Sequence, residues 1–340
     1  MPATILTPVT VLTGFLGSGK TTLLNRMLKS SAFAETAVII NEFGPVPIDH
    51  LLVRESNENI SVLDSGCICC TVQGDLVRTL RDLYFKRSNG EVPAFKRVVI
   101  ETTGLADPAP ILHTLIEMPV VAARYSLSGV VTTVDAVHGR QQLDAQFESV
   151  KQAAVADRIV ITKTDQADAA TVARLEARLF ALNPTARVLT AANGGIDPEL
   201  LLDTGLYRAD GKGPDVAKWL GMAAYRPLAN ADSPHDARIR SFSVAFDDPI
   251  SWPGLLDALG MLMTLRGDHL LRMKGIVNAE GEDRPRVIHA VQHTLYPDAT
   301  LPAWPDADRR TRLVFIVRDL EESFITHTLN SFLRQPDPVH

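Results

Sequence analysis

The three cysteines of the chain stand together, at Cys67, Cys69 and Cys70. Clustered thiolates either bind a soft or borderline metal ion or take part in redox chemistry. A disulfide between the neighbours Cys69 and Cys70 would be strained, and an odd number of cysteines leaves one thiol over. In an extended segment Cys67 and Cys69 face one way and Cys70 faces the other, so a single ion would take only some of the sulfurs. A buried, inert cluster is the remaining alternative.

A second reactive segment, GFLGSGKT, runs from Gly14 to Thr21. Its glycines allow backbone amides to close around phosphate oxygens, and the N-terminus of a following helix adds partial positive charge. Lys20 can reach the β- and γ-phosphates of a nucleotide, and the Thr21 hydroxyl can bind Mg²⁺. The loop lies between a predicted strand and a predicted helix, which is the context that this motif requires. The residues assigned to phosphate binding are Gly14, Gly17, Ser18, Gly19, Lys20, Thr21 and Thr22.

The ends of two later apolar runs carry residues that would complete a nucleotide site. Glu101 could hold the hydration shell of Mg²⁺, and the amide of Gly104 could contact the γ-phosphate. A carboxylate at Asp165 can accept hydrogen bonds from guanine N1–H and the exocyclic amine, a donor pair that adenine lacks. The aliphatic stem of Lys163, which follows Thr162, would lie along the base. In this order behind a phosphate-binding loop, the residues favour GTP and GDP.

Composition and charge narrow the class of protein. The 340 residues suit two domains, and 46% hydrophobic with 22% charged residues is typical of a soluble globular protein. A net charge of −6 argues against a general nucleic-acid binder. No apolar run is long enough to cross a bilayer, and no basic segment precedes the apolar run at the N-terminus. Free clustered thiols fit a reducing compartment, so we expect a cytoplasmic protein with no membrane partner.

Apolar, β-branched runs alternate with helical patterns from about residue 8 to about residue 190. Short, nearly continuous apolar runs are typical of strands buried on both faces, which predicts a three-layer α/β domain with a mainly parallel sheet. The predicted strands are Val9–Thr13, Ala37–Asn41, Val98–Glu101, Gly129–Val134, Arg158–Thr162 and Arg187–Thr190. The predicted helices include Lys20–Lys29, Asp75–Arg87 and Ala169–Leu182.

The rest of the chain follows a different pattern. A stretch rich in Gly, Pro, Asp and Asn, residues 204–236, is predicted to be a linker. The order of elements beyond it predicts a smaller α+β domain of ferredoxin-like type. We therefore predict domains at 1–203 and 237–334. The elements of the second are Ala237–Ala245, Trp252–Leu265, His269–Val277, Arg286–His293, Arg312–Val317 and Glu321–Leu333.

A set of motifs in a fixed order resembles the CobW-like GTPases, relatives of the hydrogenase and urease nickel-insertion GTPases. The motifs of the first domain are Gly14–Asn25, Asn41–Gly44, Gly66–Cys70, Glu101–Pro108 and Thr162–Asp165. Two segments further on, Arg272–Gly275 and Arg312–Ile316, resemble the CobW C-terminal domain. The similarity covers nearly the whole chain, and the Cys-x-Cys-Cys segment is the hallmark of the family.

The resemblance implies a metallochaperone. Such a protein binds Zn²⁺ or Co²⁺ in the presence of Mg²⁺ and GTP, hydrolyses GTP to GDP and phosphate, and releases the metal to a client metalloprotein. Lys20, Thr21 and Glu101 are the expected catalytic residues. No residue stands out as the hydrolytic base, so slow intrinsic turnover is expected. Zn²⁺ and Co²⁺ share their ligand preferences, so the ligands do not distinguish them.

The predicted transition-metal ligands are Cys67, Cys69 and Cys70, since thiolates suit tetrahedral Zn²⁺ or Co²⁺. Glu42 and Asp49 lie in the expected switch region after the second strand and are candidates to complete the coordination shell. If the γ-phosphate and Mg²⁺ order these loops, the thiolates converge only in the GTP state.

The switch region departs from the family pattern at Pro45 and Pro47, where an acidic and a flexible residue are common. Fixed φ angles should stiffen this loop. Two alternatives stay open: a regulatory GTPase whose thiols sense redox state, and a zinc-buffering protein. The segment between the domains holds a single histidine, His235, which argues against metal storage. Assembly into a homo-oligomer is also left open.

Overall fold

The computed structural model describes residues 6–41, 53–55, 60–63, 68–72, 76–193, 195–202 and 238–333. Within these ranges the backbone alone is described for residue 41 and for 53–55, 60–63 and 68–72. The chain folds into two compact units. The first contains the described residues up to Ala177 and those from Val188 to residue 202. The second contains Arg178–Arg187 and the described residues 238–333. The linker predicted at 204–236 lies outside the described residues.

The first unit is built on a nine-stranded sheet. Its strands are β1 (Thr7–Gly14), β2 (Thr36–Asn41), β3 (Val53–Glu55), β4 (Ile60–Leu63), β5 (Ile68–Val72), β6 (Arg97–Thr102), β7 (Tyr125–Asp135), β8 (Arg158–Thr162) and β9 (Arg187–Thr190). Their spatial order is β3-β4-β5-β2-β6-β1-β7-β8-β9. The six neighbouring strands β5, β2, β6, β1, β7 and β8 pair in parallel. Strands β3 and β4 form an antiparallel extension at one edge.

Helices cover this sheet on both faces. Leu12 of β1 packs in one cluster with Leu23 and Met27 of the first helix. The neighbouring position Val11 is also fully buried, and adjacent strand residues face opposite sides, so neither face is open to water. The helices are α1 (Lys20–Leu28), α2 (Leu76–Ser88), α3 (Ala109–Glu117), α4 (Pro119–Ala122), α5 (Gly139–Ala145), α6 (Phe147–Ala154) and α7 (Ala169–Leu182). The predicted three-layer α/β fold with a mainly parallel sheet is confirmed.

The parallel register brings several strand ends to one edge of the sheet. Leu12 of β1 pairs with Glu101 of β6, close to the end of each strand. Thr13 pairs with Thr132 of β7, and Asp135 at the end of β7 pairs with Thr162 at the end of β8. In open parallel sheets, ligands bind beyond the carboxyl ends of the strands. The sheet therefore brings the predicted site residues Glu101 and Thr162 to the expected edge.

The second unit contains an antiparallel sheet. Its elements are β10 (Ile239–Phe246), α8 (Trp252–Arg266), β11 (Leu270–Val277), β12 (Arg286–Val291), β13 (Thr294–Leu295), β14 (Ala299–Thr300), β15 (Thr311–Arg318) and α9 (Glu322–Leu333). The strand order is β10-β15-β11-β12-β13, and β14 also pairs with β12. Because β15 lies between β10 and β11, the segment β10-α8-β11 is a split βαβ unit, as in ferredoxin-like folds. The second helix follows the last long strand, which confirms the predicted order.

One hydrophobic core joins both C-terminal helices to the sheet. It includes Leu259 of α8, Met273 of β11, Phe315 of β15 and Leu329 of α9, all fully buried. Helix α8 starts at a Ser251 cap, whose hydroxyl accepts a hydrogen bond from a backbone N–H of the first turn. None of the helices in the described parts of the chain is long and apolar enough to cross a membrane.

Candidate functional site

The loop between β1 and α1 has the backbone of a phosphate-binding loop. Gly17 and Gly19 adopt φ angles of 71° and 88°, a region that favours glycine. A Cβ atom on Gly14 would lie only 2.5 Å from the carbonyl oxygen of Thr133 on β7, so no side chain fits there. The glycines therefore allow the turn and bring it close to the neighbouring strand.

The ammonium group of Lys20 lies against this loop. Its Nζ donates hydrogen bonds to the carbonyl oxygens of Gly14, at 2.9 Å, and Phe15, at 3.1 Å. Lys20 is the first residue of α1 and is largely buried. This arrangement holds a positive charge beside the amides at the start of the helix, where an anion is favoured.

Two side chains that carry oxygen atoms, Thr21 and Glu101, meet at the edge of the loop. The Thr21 hydroxyl on α1 donates a 2.7 Å hydrogen bond to Oε1 of Glu101 on β6. Glu101 is almost fully buried, whereas Thr22, the next residue of α1, is exposed. A hydroxyl pair also joins β6 to β1, because Thr102 donates to Thr13 Oγ1 at 2.8 Å. The expected partners Thr21 and Glu101 are therefore in direct contact.

Strands β7 and β8 hold the other side of the loop. The hydroxyl oxygens of Ser18 and Thr133 lie 2.6 Å apart, and the Thr162 hydroxyl donates to the Ser18 carbonyl at 2.7 Å. Ser18 and Thr162 are buried. The Thr162 side chain thus connects the loop to the strand that leads into Lys163 and Asp165.

Lys163 is anchored by a residue that the motifs of the sequence do not include. Its Nζ donates a 2.6 Å hydrogen bond to Oδ2 of Asp135, whose side chain is 3% exposed. The backbone N–H groups of Val137 and His138 also donate to Asp135. Burial acts to raise the pKa of Asp135, but the hydrogen bonds from Lys163, the two amides and the His138 ring outweigh it and lower that pKa below its ordinary value. The sequence contained a signal for this residue, because Asp135 is a carboxylate that directly follows the predicted strand Gly129–Val134.

Asp165 is also oriented by a neighbour that the motifs do not include. Its Oδ1 accepts a 2.6 Å hydrogen bond from the backbone N–H of Asn193, in the turn after β9. Asn193 has a φ angle of 50°, a conformation that asparagine tolerates better than most residues. Asp165 and Asn193 are exposed, so the carboxylate is fixed in direction yet accessible.

Gly104 lies against the phosphate-binding loop, as its predicted role requires. A Cβ atom at Gly104 would come within 2.6 Å of the backbone nitrogen of Leu16. The structure thus brings Gly104 to the same loop as Lys20 and Thr21, at a distance that only glycine permits.

The cysteine segment belongs to the same sheet. Strand β5 carries Cys69 and Cys70 and pairs with β2, with Cys70 opposite Ile39. Ile39 is in turn opposite Ile100 on β6, the residue before Glu101. With strands about 4.8 Å apart, the backbones of Cys70 and Ile100 are roughly 10 Å apart across β2.

Three predicted metal ligands, Cys67, Glu42 and Asp49, lie outside the described residues. Among the residues that the structure describes, no group of three or more His, Cys, Asp and Glu side chains is placed to hold a metal ion. The assignment of Cys67, Cys69 and Cys70 as ligands therefore stays a prediction.

The fold and the loop geometry define a P-loop nucleotide-binding protein with an added antiparallel C-terminal unit. The chain belongs to the CobW family. Residues 8–190 match the family described as CobW/HypB/UreG, nucleotide-binding domain, and residues 239–333 match the Cobalamin synthesis protein cobW C-terminal domain. The resemblance inferred from the motifs is thereby confirmed.

Relatives cover nearly the whole chain. The zinc chaperone YjiA of Escherichia coli is 36% identical over 93% of this chain and 96% of its own length. The zinc-regulated GTPase metalloprotein activator 1 of Saccharomyces cerevisiae is 27% identical over 96% of this chain and 83% of its own. A crystal structure of Zn(II)-bound YjiA GTPase from E. coli superposes with a TM-score of 0.78, at 34% identity, over 97% of this chain and 99% of that one.

Proposed function

We propose that this protein is a GTP-dependent zinc chaperone. It binds GTP with Mg²⁺, holds Zn²⁺ at Cys67, Cys69 and Cys70, and delivers the metal to a client metalloprotein when GTP is hydrolysed to GDP. Its relatives are zinc chaperones and a GTPase metalloprotein activator. The contact between Thr21 and Glu101 beside the phosphate-binding loop is the observation that carries the proposal.

That contact fits a magnesium site. Mg²⁺ prefers oxygen ligands, and a threonine hydroxyl beside a buried carboxylate supplies them at the edge of a P-loop. Held by Thr21 and Glu101, Mg²⁺ would supply positive charge against the negative charge that develops on the phosphates during hydrolysis. Lys20 leaves its carbonyl partners for the β- and γ-phosphates, while the amide of Gly104 meets the γ-phosphate. Gly14, Gly17, Ser18, Gly19 and Thr22 complete the phosphate site.

Guanine is read at the other end of the site. Asp165 accepts hydrogen bonds from N1–H and the exocyclic amine, and the backbone bond from Asn193 fixes its direction. The stem of Lys163 lies along the base, held by Asp135. Thr162 directly precedes Lys163 and is hydrogen-bonded to Ser18 of the phosphate-binding loop, which supports a base site and a phosphate site held next to each other.

Zinc is the cargo rather than a resident cofactor. Some of the thiolates of Cys67, Cys69 and Cys70 supply soft ligands, and Glu42 or Asp49 helps to complete the shell. Co²⁺ would fit the same ligands. The strand that separates β5 from Glu101 is β2, and Glu42 directly follows β2 in the chain. One strand, β2, thus separates the cysteine strand from the strand of Glu101, which lies beside the proposed phosphate site.

The remaining assignments follow from this function. We propose a GTPase domain at 1–203, a linker at 204–236 and a CobW C-terminal domain at 237–334. We expect the chaperone to act in the cytoplasm, where thiolates stay reduced. Self-association remains a prediction, to be measured in each nucleotide state.

Zinc affinity of cysteine variants tests the proposal. With Mg²⁺ and a non-hydrolysable GTP analogue, a competitive chelator titration of Cys69→Ser should show an affinity at least about 100-fold below wild type, because a hydroxyl is a poor ligand for Zn²⁺. Ser65→Ala is the matched control from the same segment, and it should leave the affinity unchanged.

Zinc bound elsewhere must be separated from this site. A crystal structure of a YjiA GTPase variant, with a glutamate and two cysteines changed to alanine, is also Zn(II)-bound. The titration is therefore run at one equivalent of zinc, where the tightest site fills first. Equal affinities of wild type and Cys69→Ser would contradict the proposal. Hydrolysis that responds to oxidant but not to zinc would support a redox-sensing GTPase, and zinc binding without hydrolysis would support a buffer.

A further inference from the structure

A buried glutamine on α6 reaches the loop that carries Gly104. Gln152 is fully buried, and its side-chain Nε2 donates hydrogen bonds to the carbonyl oxygens of Gly104, at 3.2 Å, and Ala106, at 3.0 Å. Two bonds from one amide group fix the direction of two peptide units. The Gly104 carbonyl and the Leu105 N–H belong to one peptide, so this contact also sets where that N–H points.

The neighbouring residue on α6 supports the same loop. Lys151 Nζ donates a 2.8 Å hydrogen bond to Oδ2 of Asp107, and Asp107 Oδ1 accepts a bond from the backbone of Ala109 at the start of α3. Both side chains of the ion pair are partly exposed, which makes it the weaker of the two attachments.

The opposite side of the loop touches the phosphate-binding loop. Gly104 approaches the backbone of Leu16 so closely that a Cβ atom would not fit. The segment Thr103–Asp107 is therefore held between the phosphate-binding loop on one side and Gln152 on the other. A displacement at Gly104 cannot occur without a change in the hydrogen bonds of Gln152.

The second polar atom of the glutamine has a distinctive environment. Gln152 Oε1 is buried and has no hydrogen-bond partner among the described residues. Buried amide oxygens are normally paired, so an open acceptor beside this loop is suited to a second arrangement in which a loop N–H turns towards it.

We propose that Gln152 is a positioning residue that sets the Thr103–Asp107 loop for the γ-phosphate of GTP. This inference rests on the proposed GTP site and adds the residue that prepares its γ-phosphate sensor. Without Gln152 the loop has to be ordered at the moment of binding, which lowers affinity for the nucleotide that the loop contacts. GDP lacks the γ-phosphate, so its affinity does not depend on Gln152.

The test compares two nucleotides in the full chain with Mg²⁺. Affinities for GDP and for guanylyl imidodiphosphate are measured by calorimetry for wild type, Gln152→Met and Gln152→Glu. Gln152→Met keeps the shape and removes both polar atoms, and we expect the analogue to bind about tenfold more weakly while GDP stays within about twofold. Gln152→Glu puts a carboxylate against two carbonyl oxygens and should lower analogue affinity further.

Glu148→Gln, on the same helix, is the matched control and should leave both affinities unchanged. The inference would be overturned if the ratio of analogue affinity to GDP affinity in Gln152→Met equals or exceeds the ratio in wild type, which includes an equal loss for both nucleotides. If neither variant folds, hydrogen exchange of wild type decides: the amides of 103–107 and of α6 must gain protection together with the analogue but not with GDP. Wild type that binds neither nucleotide would instead refute the GTP site itself.

Discussion

At the scale of single residues, the site is built from carboxylates whose directions are fixed before any ligand arrives. Asp135 is held by Lys163, two backbone amides and the His138 ring, Asp165 receives a backbone amide, and Glu101 receives the Thr21 hydroxyl. Groups that are oriented in advance lose less freedom on binding, so they contribute more to affinity. This advantage applies both to the residues expected to bind the base and to those expected to bind the phosphates.

Asp135→Asn tests whether the base site depends on an anchored lysine. The change keeps the side-chain shape and removes the charge that holds Lys163, so the lysine stem no longer stays in place over the base. We expect GDP and the GTP analogue to lose affinity equally, by about tenfold, because both carry the same base. Calorimetry measures the two losses, and Asp144→Asn, at an exposed position of α5, is the control. A loss confined to the GTP analogue would contradict the role assigned to Asp135.

The pH dependence of stability gives a second measure of the same carboxylate. The folded-state pKa of Asp135 lies below the ordinary value of 3.8, so its contribution is fully present above pH 3.8 and is lost as pH falls through the folded pKa. The melting temperatures of wild type and Asp135→Asn should therefore differ at neutral pH. The difference should shrink below about pH 4, and a difference that grows in acid would be inconsistent with this pKa.

At the scale of elements, five of the six parallel strands could be predicted because their apolar runs are almost continuous. The sixth, the cysteine strand β5, was not predicted. The predicted Arg158–Thr162 and Ala169–Leu182 coincide with β8 and α7. The short strands β3 and β4 could not be predicted, because they form an antiparallel edge and lack a continuous apolar pattern. The strand order could not be predicted either, because the placement of β2 between β5 and β6 depends on packing of the whole domain and not on the local sequence.

Candidate site residues divide in the same way. Lys20, Thr21 and Glu101 were identified by motif spacing, since their chemistry requires fixed positions along the chain. Asp135 and Gln152 were not identified, because their partners are 28 to 48 residues away and only the fold brings them together. Gly104 was assigned a ligand role from spacing, and its contact with Leu16 is a tertiary feature that no local pattern contains.

The C-terminal unit offers a test of its own core. Leu259 on α8 is fully buried among strands and helix, whereas Met261, two residues later, is 46% exposed. Leu259→Ala leaves a cavity and should lower the free energy of unfolding of this unit by about 3 kcal/mol. Met261→Ala should change it by no more than about 0.5 kcal/mol. Native-state hydrogen exchange of the β15 amides measures both, and equal effects would mean that the assigned core is wrong.

At the scale of the whole molecule, one sheet carries both the strand before the phosphate-binding loop and the cysteine strand. The cysteine strand β5, its neighbour β2 and the Glu101 strand β6 are consecutive in that sheet. Metal and nucleotide are therefore expected to influence each other, and linkage requires that the influence be mutual: GTP strengthens zinc binding by the same factor by which zinc strengthens GTP binding.

The most direct measurement is a competitive zinc titration of the full chain, with Mg²⁺ and either GDP or a non-hydrolysable GTP analogue. We predict zinc affinity at least about tenfold higher with the analogue, a coupling of about 1.4 kcal/mol. Lys20→Ala, which removes the charge that meets the phosphates, should abolish the difference. Equal zinc affinities of wild type in the two nucleotide states would contradict the central claim that this protein carries zinc under the control of GTP.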